Sequence, residues 1–179
     1  MARNRLFEMR FEPIHTGSGW LHIIAENRFL TDYMYHGRLL AGYCGIDDVS
    51  RWMRMHLPDI LRDDPFPAEA AGAHAAEMWF AAGGYLPGTL PPDDCDPALP
   101  AWLDRHALCT CNPLCCLPFT VFRSTAEGVE ISWQNTPCRF PDAEFLYPSG
   151  CITVTKAYFE TAAVCFLEEC DTLLHPRYF

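Results

Sequence analysis

Residues 106–133, HALCTCNPLCCLPFTVFRSTAEGVEISW, are the part of the chain around which the rest is expected to pack. Two runs in this stretch, 117–123 and 129–133, are rich in β-branched and aromatic residues, and a short turn ending at Gly128 joins them. This composition, with a glycine-containing connection of hairpin length, predicts two antiparallel strands. The sequence therefore indicates a central β-hairpin that is preceded by a cysteine-rich segment.

The N-terminal part of the chain has the alternating pattern of strands. Phe7, Met9 and Phe11 share one face of a run over 6–12, while charged residues occupy the other face. Three further strands are predicted over 20–25, 29–35 and 39–43. Because the connections between these runs are short, we expect an N-terminal antiparallel meander.

The middle of the chain has the apolar spacing of helices. The stripe over 49–60 predicts a helix that Asp47 could cap and that Pro58 should break or kink. An alanine-rich helix is predicted over 68–82, and a short helix over 101–108. This section should cover one face of the sheet.

The C-terminal segment contains the clearest helical pattern in the sequence. Its apolar residues recur at intervals of four and three, so that one side of the helix is buried. These residues are Phe159, Ala163, Phe166, Cys170 and Leu173. Thr155 is the predicted N-cap of this helix. Residues 151–154 before it are predicted to form a short strand, and 135–149 a loop.

These elements predict a single α+β domain over residues 1–179. Its antiparallel sheet combines the N-terminal meander with the central hairpin, and the middle helical section and the long C-terminal helix pack on it. One connection in this domain is unusually long. Residues 83–100 hold five prolines and three glycines, which predicts an irregular segment instead of a helix or strand.

The composition excludes several classes of protein. Half of the residues are apolar (50%) and 20% are charged, which is not the composition of a disordered chain. The apolar runs are far shorter than the roughly 20 residues of a membrane helix, and the net charge of −10 argues against a nucleic-acid-binding surface. The N-terminus, MARNRLFEMRFEP, lacks the apolar core of a secretory signal. We therefore expect a cytoplasmic protein whose ten cysteines are reduced and mostly buried.

Acidic residues are concentrated between residues 59 and 104, where nine acids accompany a single base, Arg62. Such a surface would speed encounter with a basic protein partner. The alternative interpretation is a solvated face that only maintains solubility. The residues predicted to contact a partner are Asp63, Asp64, Asp93, Asp94 and Asp96.

The cysteine-rich segment is a candidate metal site. Its potential ligands are His106, Cys109, Cys111, Cys115 and Cys116. A set of thiolates and an imidazole could hold zinc tetrahedrally or bind copper(I). The spacing is unfavourable, because structural zinc sites use two well-separated cysteine pairs. The alternative, which we favour, is that these cysteines fill space beside the hairpin.

Cys44 is the candidate catalytic residue, because a helix N-terminus lowers the pKa of a nearby thiol. His36 or His56 could serve as its base. The alternative is a cysteine packed beneath the first helix, which ordinary burial preferences favour. The sequence contains no glycine-rich phosphate loop, nucleophile elbow or HExxH motif. An enzymatic role is therefore the last of the hypotheses.

Six segments of the chain follow a shared order of elements: FEMRFEP, LHII, GIDDVSRWMRMHLPDIL, WLDRHAL, EGVEISW and GCITVTKAYFETAAVCFLEEC. In this order the chain resembles a group of small bacterial proteins, frequent in actinobacteria, that are similar to the immunity proteins of polymorphic toxin systems. The resemblance implies a cytoplasmic protein that neutralises or regulates another protein, and it supplies no catalytic residues. HALCTCNPLCC departs from the pattern, which leaves a metal or redox function open.

Three functional hypotheses follow from the sequence, in this order. The first is a non-enzymatic, immunity-like protein-binding module whose acidic section meets a basic partner. The second is a cysteine-rich protein that binds zinc or copper, or that serves a metalloprotein. The third is a small thiol-dependent enzyme based on Cys44.

Overall fold

The computed structural model describes residues 6–62, 64–93 and 95–175. Over these residues the chain forms three antiparallel sheets and four α-helices, the predicted α+β architecture. The strands are β1 (Phe7–His15), β2 (Ser18–Ala25), β3 (Arg28–Phe29), β4 (Tyr33–Tyr35), β5 (Arg38–Leu40), β6 (Gly42–Gly45), β7 (Thr120–Thr125), β8 (Gly128–Gln134), β9 (Ala143–Phe145) and β10 (Ser149–Val154). The helices are α1 (Ile46–Leu61), α2 (Ala75–Ala81), α3 (Ala98–His106) and α4 (Lys156–Leu174), with a 3-10 turn at Leu108–Thr110.

β1 and β2 form the long N-terminal hairpin that the alternating pattern predicts. The two strands pair antiparallel along their whole length, with one irregularity near the turn. Phe7, Met9 and Phe11 are all buried, as the period of two requires. The inner face of this hairpin therefore supplies one wall of the core.

The predicted meander is wrong beyond this hairpin. The predicted strand over 29–35 is two strands in different sheets, since β3 pairs with β2 whereas β4 pairs with β5 and β9. The chain turns between them because Leu30 is buried and its amide donates to the Ile23 carbonyl oxygen at 2.8 Å. The predicted strand over 39–43 is likewise divided into β5 and β6, and β6 returns to pair with β2.

α1 begins and ends at other residues than the sequence predicts. Its N-cap is Gly45, and Asp47 lies in the first turn, where a negative charge suits the positive end of the helix dipole. Pro58 does not break the helix, which continues to Leu61. Pro58 lacks one N–H donor, and only three helical residues follow it before the helix ends.

α2 covers only the second half of the helix that was predicted over 68–82. Gly72 has a φ of 148°, far outside the helical region, and residues 68–72 are irregular. The alanine content of the segment favours a helix, but the glycine interrupts it. The result is a helix of seven residues, which is too short to be stable without tertiary contacts.

The central hairpin is confirmed as β7 and β8, and β10 pairs with the other edge of β8. The connection predicted over 83–100 is irregular only as far as Pro97, because α3 includes Pro100 in its first turn. A proline there interrupts no intrahelical hydrogen bond. The loop predicted over 135–149 contains the short strand β9.

Four aromatic side chains hold the sheets and helices together: Phe7 of β1, Trp52 of α1, Phe122 of β7 and Phe159 of α4. The rings of Phe7 and Phe159 stack with their centroids 5.2 Å apart, and Phe122 lies 5.3 Å from Phe159. Trp52 extends this aromatic cluster to α1, 6.3 Å from Phe122. One packed core therefore joins four elements that are distant in sequence.

α4 confirms the predicted C-terminal helix. Four of the five residues of its predicted apolar stripe are buried. Its N-cap is also as predicted, since the Thr155 hydroxyl oxygen accepts a hydrogen bond from the Tyr158 amide at 3.3 Å. Among the described helices, α4 included, none has the length and apolar character needed to cross a bilayer.

Replacing Phe159 with alanine should lower the free energy of unfolding by about 3–5 kcal/mol, because truncation of a buried phenylalanine leaves a cavity in the core. Urea unfolding followed by circular dichroism measures this loss. The matched control is Tyr158→Ala, since Tyr158 is 38% exposed in the same helical turn. It should change stability by no more than about 0.5–1 kcal/mol, and equal losses in both variants would contradict the assigned helix face.

Gly128→Ala should destabilise the protein by about 2–5 kcal/mol. Gly128 has a φ of 149°, and a methyl group on it would overlap the carbonyl oxygen of Val154, so backbone strain and overpacking combine. Gly37→Ala is the control, because Gly37 also has a positive φ but open space around it. It should cost only about 1–2 kcal/mol. Thermal unfolding of both variants tests this difference, which equal losses would refute.

Candidate functional site

The predicted metal ligands of the cysteine-rich segment lie in different surroundings in the structure. The ring of His106, at the end of α3, stacks on Trp102 with centroids 4.2 Å apart, and its Nδ1 lies 2.8 Å from the Trp102 carbonyl oxygen. Cys109 is buried, and burial raises the pKa of its thiol to about 12. Cys116 lies near Tyr33, and burial raises the pKa of its thiol to about 12. Within the described ranges, these five predicted ligands do not supply a group of three whose ligand atoms lie within 4.8 Å of one another.

Cys111 and Cys115 are close enough to Cys44 to interact with its thiol electrostatically. Burial raises the pKa of the Cys44 thiol, and the neighbouring Cys115 and Asp48 raise it further. The Asp48 carboxylate also accepts a hydrogen bond from the Asn112 amide at 2.8 Å. The surroundings of Cys44 therefore favour a neutral thiol, the opposite of what a cysteine nucleophile needs.

The two candidate bases for Cys44 lie in other places. His56 is ten residues beyond the first residue of α1, about 15 Å along the helix axis. Its ring packs 5.2 Å from that of Trp52. His36 is exposed in the turn between β4 and β5. The titratable groups that act on the Cys44 thiol are Cys115, Asp48 and Cys170, and neither candidate histidine is among them.

All ten cysteines are free thiols, but they are less buried than the sequence suggests. Three are buried, one is exposed and the others are half-buried. A small cleft beside the hairpin is lined in part by Cys109, Cys115 and Cys138, and its volume is about 40 Å³. A cleft of this size holds a water molecule or two, far below the roughly 300 Å³ of a typical ligand pocket.

The predicted acidic contact residues are in part engaged within the protein. Asp63 and Asp94 lie outside the described residues. Asp64 forms an ion pair with Arg105 at 2.9 Å. Asp96 is exposed, and its Oδ1 accepts a hydrogen bond from the Ala98 amide at 2.9 Å at the start of α3. Asp93 is exposed. Of the three predicted residues that the structure describes, Asp64 is therefore occupied by an ion pair, whereas Asp93 and Asp96 are exposed.

The structure gathers a different set of chemically active side chains, which sequence reasoning missed. His74, Glu130 and Cys151 place one ligand atom each within 4.8 Å of the other two, the single such group in the described ranges. His74 immediately precedes α2, whereas the other two residues lie on the neighbouring strands β8 and β10. Cys151 pairs with Ser132, two residues from Glu130, so these side chains share one sheet face beneath α2.

Glu130 is the fixed centre of this His74–Glu130–Cys151 cluster. It is only 5% exposed, and its Oε2 accepts from the guanidinium of Arg123 at 2.6 Å. Its Oε1 accepts from the Ala75 amide at 2.7 Å and from the Ser132 hydroxyl at 3.0 Å. A carboxylate offers about four lone-pair positions, and three of them are thus occupied.

Glu130 and Ser132 also act as the N-terminal cap of α2. The Ser132 hydroxyl oxygen accepts from the Ala76 amide at 3.1 Å, beside the bond from Ala75 to Glu130. The residue at the N-cap position, His74, makes no capping bond through its side chain. Because the first amides of a helix lack intrahelical partners, the sheet supplies the acceptors that the sequence of α2 lacks.

Cys151 is half-buried at the edge of this cluster. Burial and the nearby Glu130 carboxylate raise the pKa of its thiol to about 12, although Arg123 acts in the opposite direction. Its Sγ also lies 3.6 Å from the carbonyl oxygen of Ile152. At neutral pH Cys151 is therefore a protonated thiol and not an activated nucleophile.

No single motif in the sequence marks this cluster. The three residues come from elements that are far apart along the chain, and His74 and Cys151 have no metal-ligand spacing to any neighbour. The one available signal is Glu130 in the middle of the hairpin strand, since a charge among apolar strand residues requires a partner when buried.

Comparison with known proteins gives no assignment. The chain matches no protein-family model, no curated protein and no solved structure. The resemblance to immunity proteins rests on the order of elements and the quoted segments, and it stays a hypothesis. The function has to be inferred from the residues of this chain alone.

The free energy of unfolding should fall as the pH is lowered through about 6.5 and below. Burial lowers the pKa of His106 in the folded protein, against the opposing effects of the Trp102 carbonyl and Asp64. Between the lowered pKa and that of a free histidine, the unfolded chain binds the additional proton, so acidification favours unfolding. Urea unfolding at several pH values measures the slope of the free energy of unfolding against pH.

His106→Phe keeps an aromatic ring against Trp102 but cannot titrate, so it should flatten this pH dependence. His15→Phe, which replaces an exposed histidine of β1, should leave the wild-type slope unchanged. An unchanged slope in His106→Phe would show that another group controls the acid sensitivity.

Proposed function

We propose that this protein is a non-enzymatic, immunity-like binding module that neutralises or regulates a basic protein partner. The observation that carries this proposal is the connection between α2 and α3, which we call the acidic connection (residues 82–97). It presents Leu90, whose side chain is 90% exposed, next to the exposed Asp93. An exposed apolar side chain beside carboxylates fits a partner surface that offers both an apolar contact and basic groups.

The charge distribution around the acidic connection supports a basic partner. Among the described residues between 64 and 104, five carboxylates are exposed: Glu69, Glu77, Asp93, Asp96 and Asp104. The nearby arginines are already occupied, since Arg62 lies 3.5 Å from Asp59 and Arg105 pairs with Asp64. The uncompensated negative charge would speed association with a positively charged protein.

The acidic connection is also partly preorganised for binding. The Thr89 hydroxyl donates to the Leu86 carbonyl oxygen at 2.7 Å, and the Thr89 amide donates to the same oxygen at 3.0 Å. A second turn forms where the Cys95 amide donates to the Pro92 carbonyl oxygen at 3.0 Å. Because turns and prolines restrict the free chain, less conformational entropy is lost when a partner binds.

The alternative function, metal binding by the cysteine-rich segment, has weaker geometric support. Among the described residues, its five candidate ligands do not bring three ligand atoms within 4.8 Å of one another. The third hypothesis, an enzyme based on Cys44, lacks an activated thiol, because burial and the neighbouring Cys115 and Asp48 raise the pKa of Cys44. Surface-mediated binding is therefore the function that the described residues support best.

The triple variant Leu90→Ser, Asp93→Asn, Asp96→Asn should weaken partner binding at least tenfold, which corresponds to about 1.4 kcal/mol. The asparagine at 96 keeps an oxygen acceptor for α3. The partner is recovered by affinity purification from the native host, identified by mass spectrometry and then purified for calorimetric titration. Binding of the wild type should also weaken when the ionic strength is raised to about 0.5 M.

The matched control is Leu114→Ser, Asp142→Asn, Glu144→Gln, which makes the same chemical changes at exposed positions elsewhere. It should bind the partner as the wild type does. Equal affinity of the two triple variants, or affinity that does not depend on salt, would refute a role for the acidic connection.

A further inference from the structure

We propose that His74, Glu130 and Cys151 form a binding site for one divalent transition-metal cation of the zinc type, held by one nitrogen, one oxygen and one sulfur ligand. This site is separate from the acidic connection and uses none of the residues of the cysteine-rich segment. It joins the start of α2 to the strands β8 and β10.

The distances fit a tetrahedral ion after small side-chain movements. The three ligand atoms already lie within 4.8 Å of one another. With bonds of about 2.0 Å to nitrogen and oxygen and 2.3 Å to sulfur, tetrahedral ligands are about 3.3–3.5 Å apart. The required closure is therefore of the order of 1 Å, which side-chain rotation at His74 and Cys151 can supply because both residues are half-buried.

Glu130 is preorganised to contribute one oxygen. Its three donors, the Ala75 amide, the Ser132 hydroxyl and the Arg123 guanidinium, fix the carboxylate and leave one lone-pair position on Oε2. Fixing a ligand by hydrogen bonds from neighbouring groups is the usual way in which proteins orient metal sites. Glu130 would therefore bind the ion through a single oxygen.

The local charges balance when a divalent ion is present. Arg123 opposes a cation, but the carboxylates of Glu130 and the exposed Glu77 both act on Cys151 in the opposite sense. On binding, the Cys151 thiol loses its proton, which passes to solvent, and a sulfur–metal bond replaces the S–H bond. The charges of Arg123 and the ion are then matched by two carboxylates and one thiolate.

The donor set selects the type of ion. Sulfur and imidazole ligands favour zinc and similar ions, whereas magnesium and calcium prefer oxygen ligands only. Three protein ligands leave the fourth tetrahedral position for water or an external group. The half-exposed His74 and Cys151 place this position towards solvent.

Titration with cobalt(II) tests the site in the 179-residue chain, after treatment with a chelator and a thiol-free reductant. One equivalent of cobalt should produce a thiolate-to-cobalt charge-transfer band in the near ultraviolet and the visible bands of a tetrahedral ion. Zinc should displace the cobalt and abolish both. Absence of the charge-transfer band would overturn the proposal.

Two sets of variants locate the site. Cys151→Ser should abolish the charge-transfer band. His74→Ala should weaken cobalt binding more than loss of a residue that only orients a ligand, which costs roughly 10- to 100-fold in affinity. The controls are Cys165→Ser, on an exposed face of α4, and the double variant Cys111→Ser, Cys115→Ser. Both should keep the band, and its loss in the double variant alone would place the ion in the cysteine-rich segment and refute the proposal.

A second measurement needs no substitution. Iodoacetamide labelling of the wild-type protein, mapped by mass spectrometry, should show that zinc protects Cys151 from modification while Cys165 reacts at the same rate with and without zinc. Unchanged labelling of Cys151 in the presence of zinc would overturn the proposal even if a variant failed to fold.

Discussion

The stacked contact between Phe7 and Phe159, closed by Phe122, is the interaction on which the remaining structure depends. It brings together the first strand, the central hairpin and the C-terminal helix, and Trp52 adds α1 to the same cluster. Aromatic rings bury large apolar areas and prefer defined mutual orientations. This cluster therefore fixes the distances and relative rotations of β1, α1, β7 and α4, which are far apart in the sequence.

The position of α2 is set by polar contacts and not by the aromatic cluster. This helix is too short to form alone, and its first amides are bound by Glu130 and Ser132 from the strand beneath it. Glu130 in turn is neutralised by Arg123 on the neighbouring strand. Because a buried carboxylate is stable only with such partners, the same bonds that place the helix also prepare the candidate ion site.

The sequence predicts the elements whose pattern is local. The period-two run of β1, the central hairpin and the apolar stripe of α4 were all recoverable, because each buries one regular face. The division of the predicted strand over 29–35 into β3 and β4 could not be predicted, because it depends on the burial of Leu30 against a strand formed earlier in the chain. The candidate ion site also escaped prediction, because only strand register brings Cys151 beside Glu130.

The position of α2 has a thermodynamic consequence. Its first turn is tied to the sheet at Glu130, and its last residue leads directly into the connection that carries Leu90. An ion at His74 and a partner at the acidic connection, as proposed, would restrain opposite ends of this short helix and share the entropy lost in ordering it, so each would make the other bind more tightly. By linkage this cooperativity is equal in both directions, and it would arise without any change in the average coordinates.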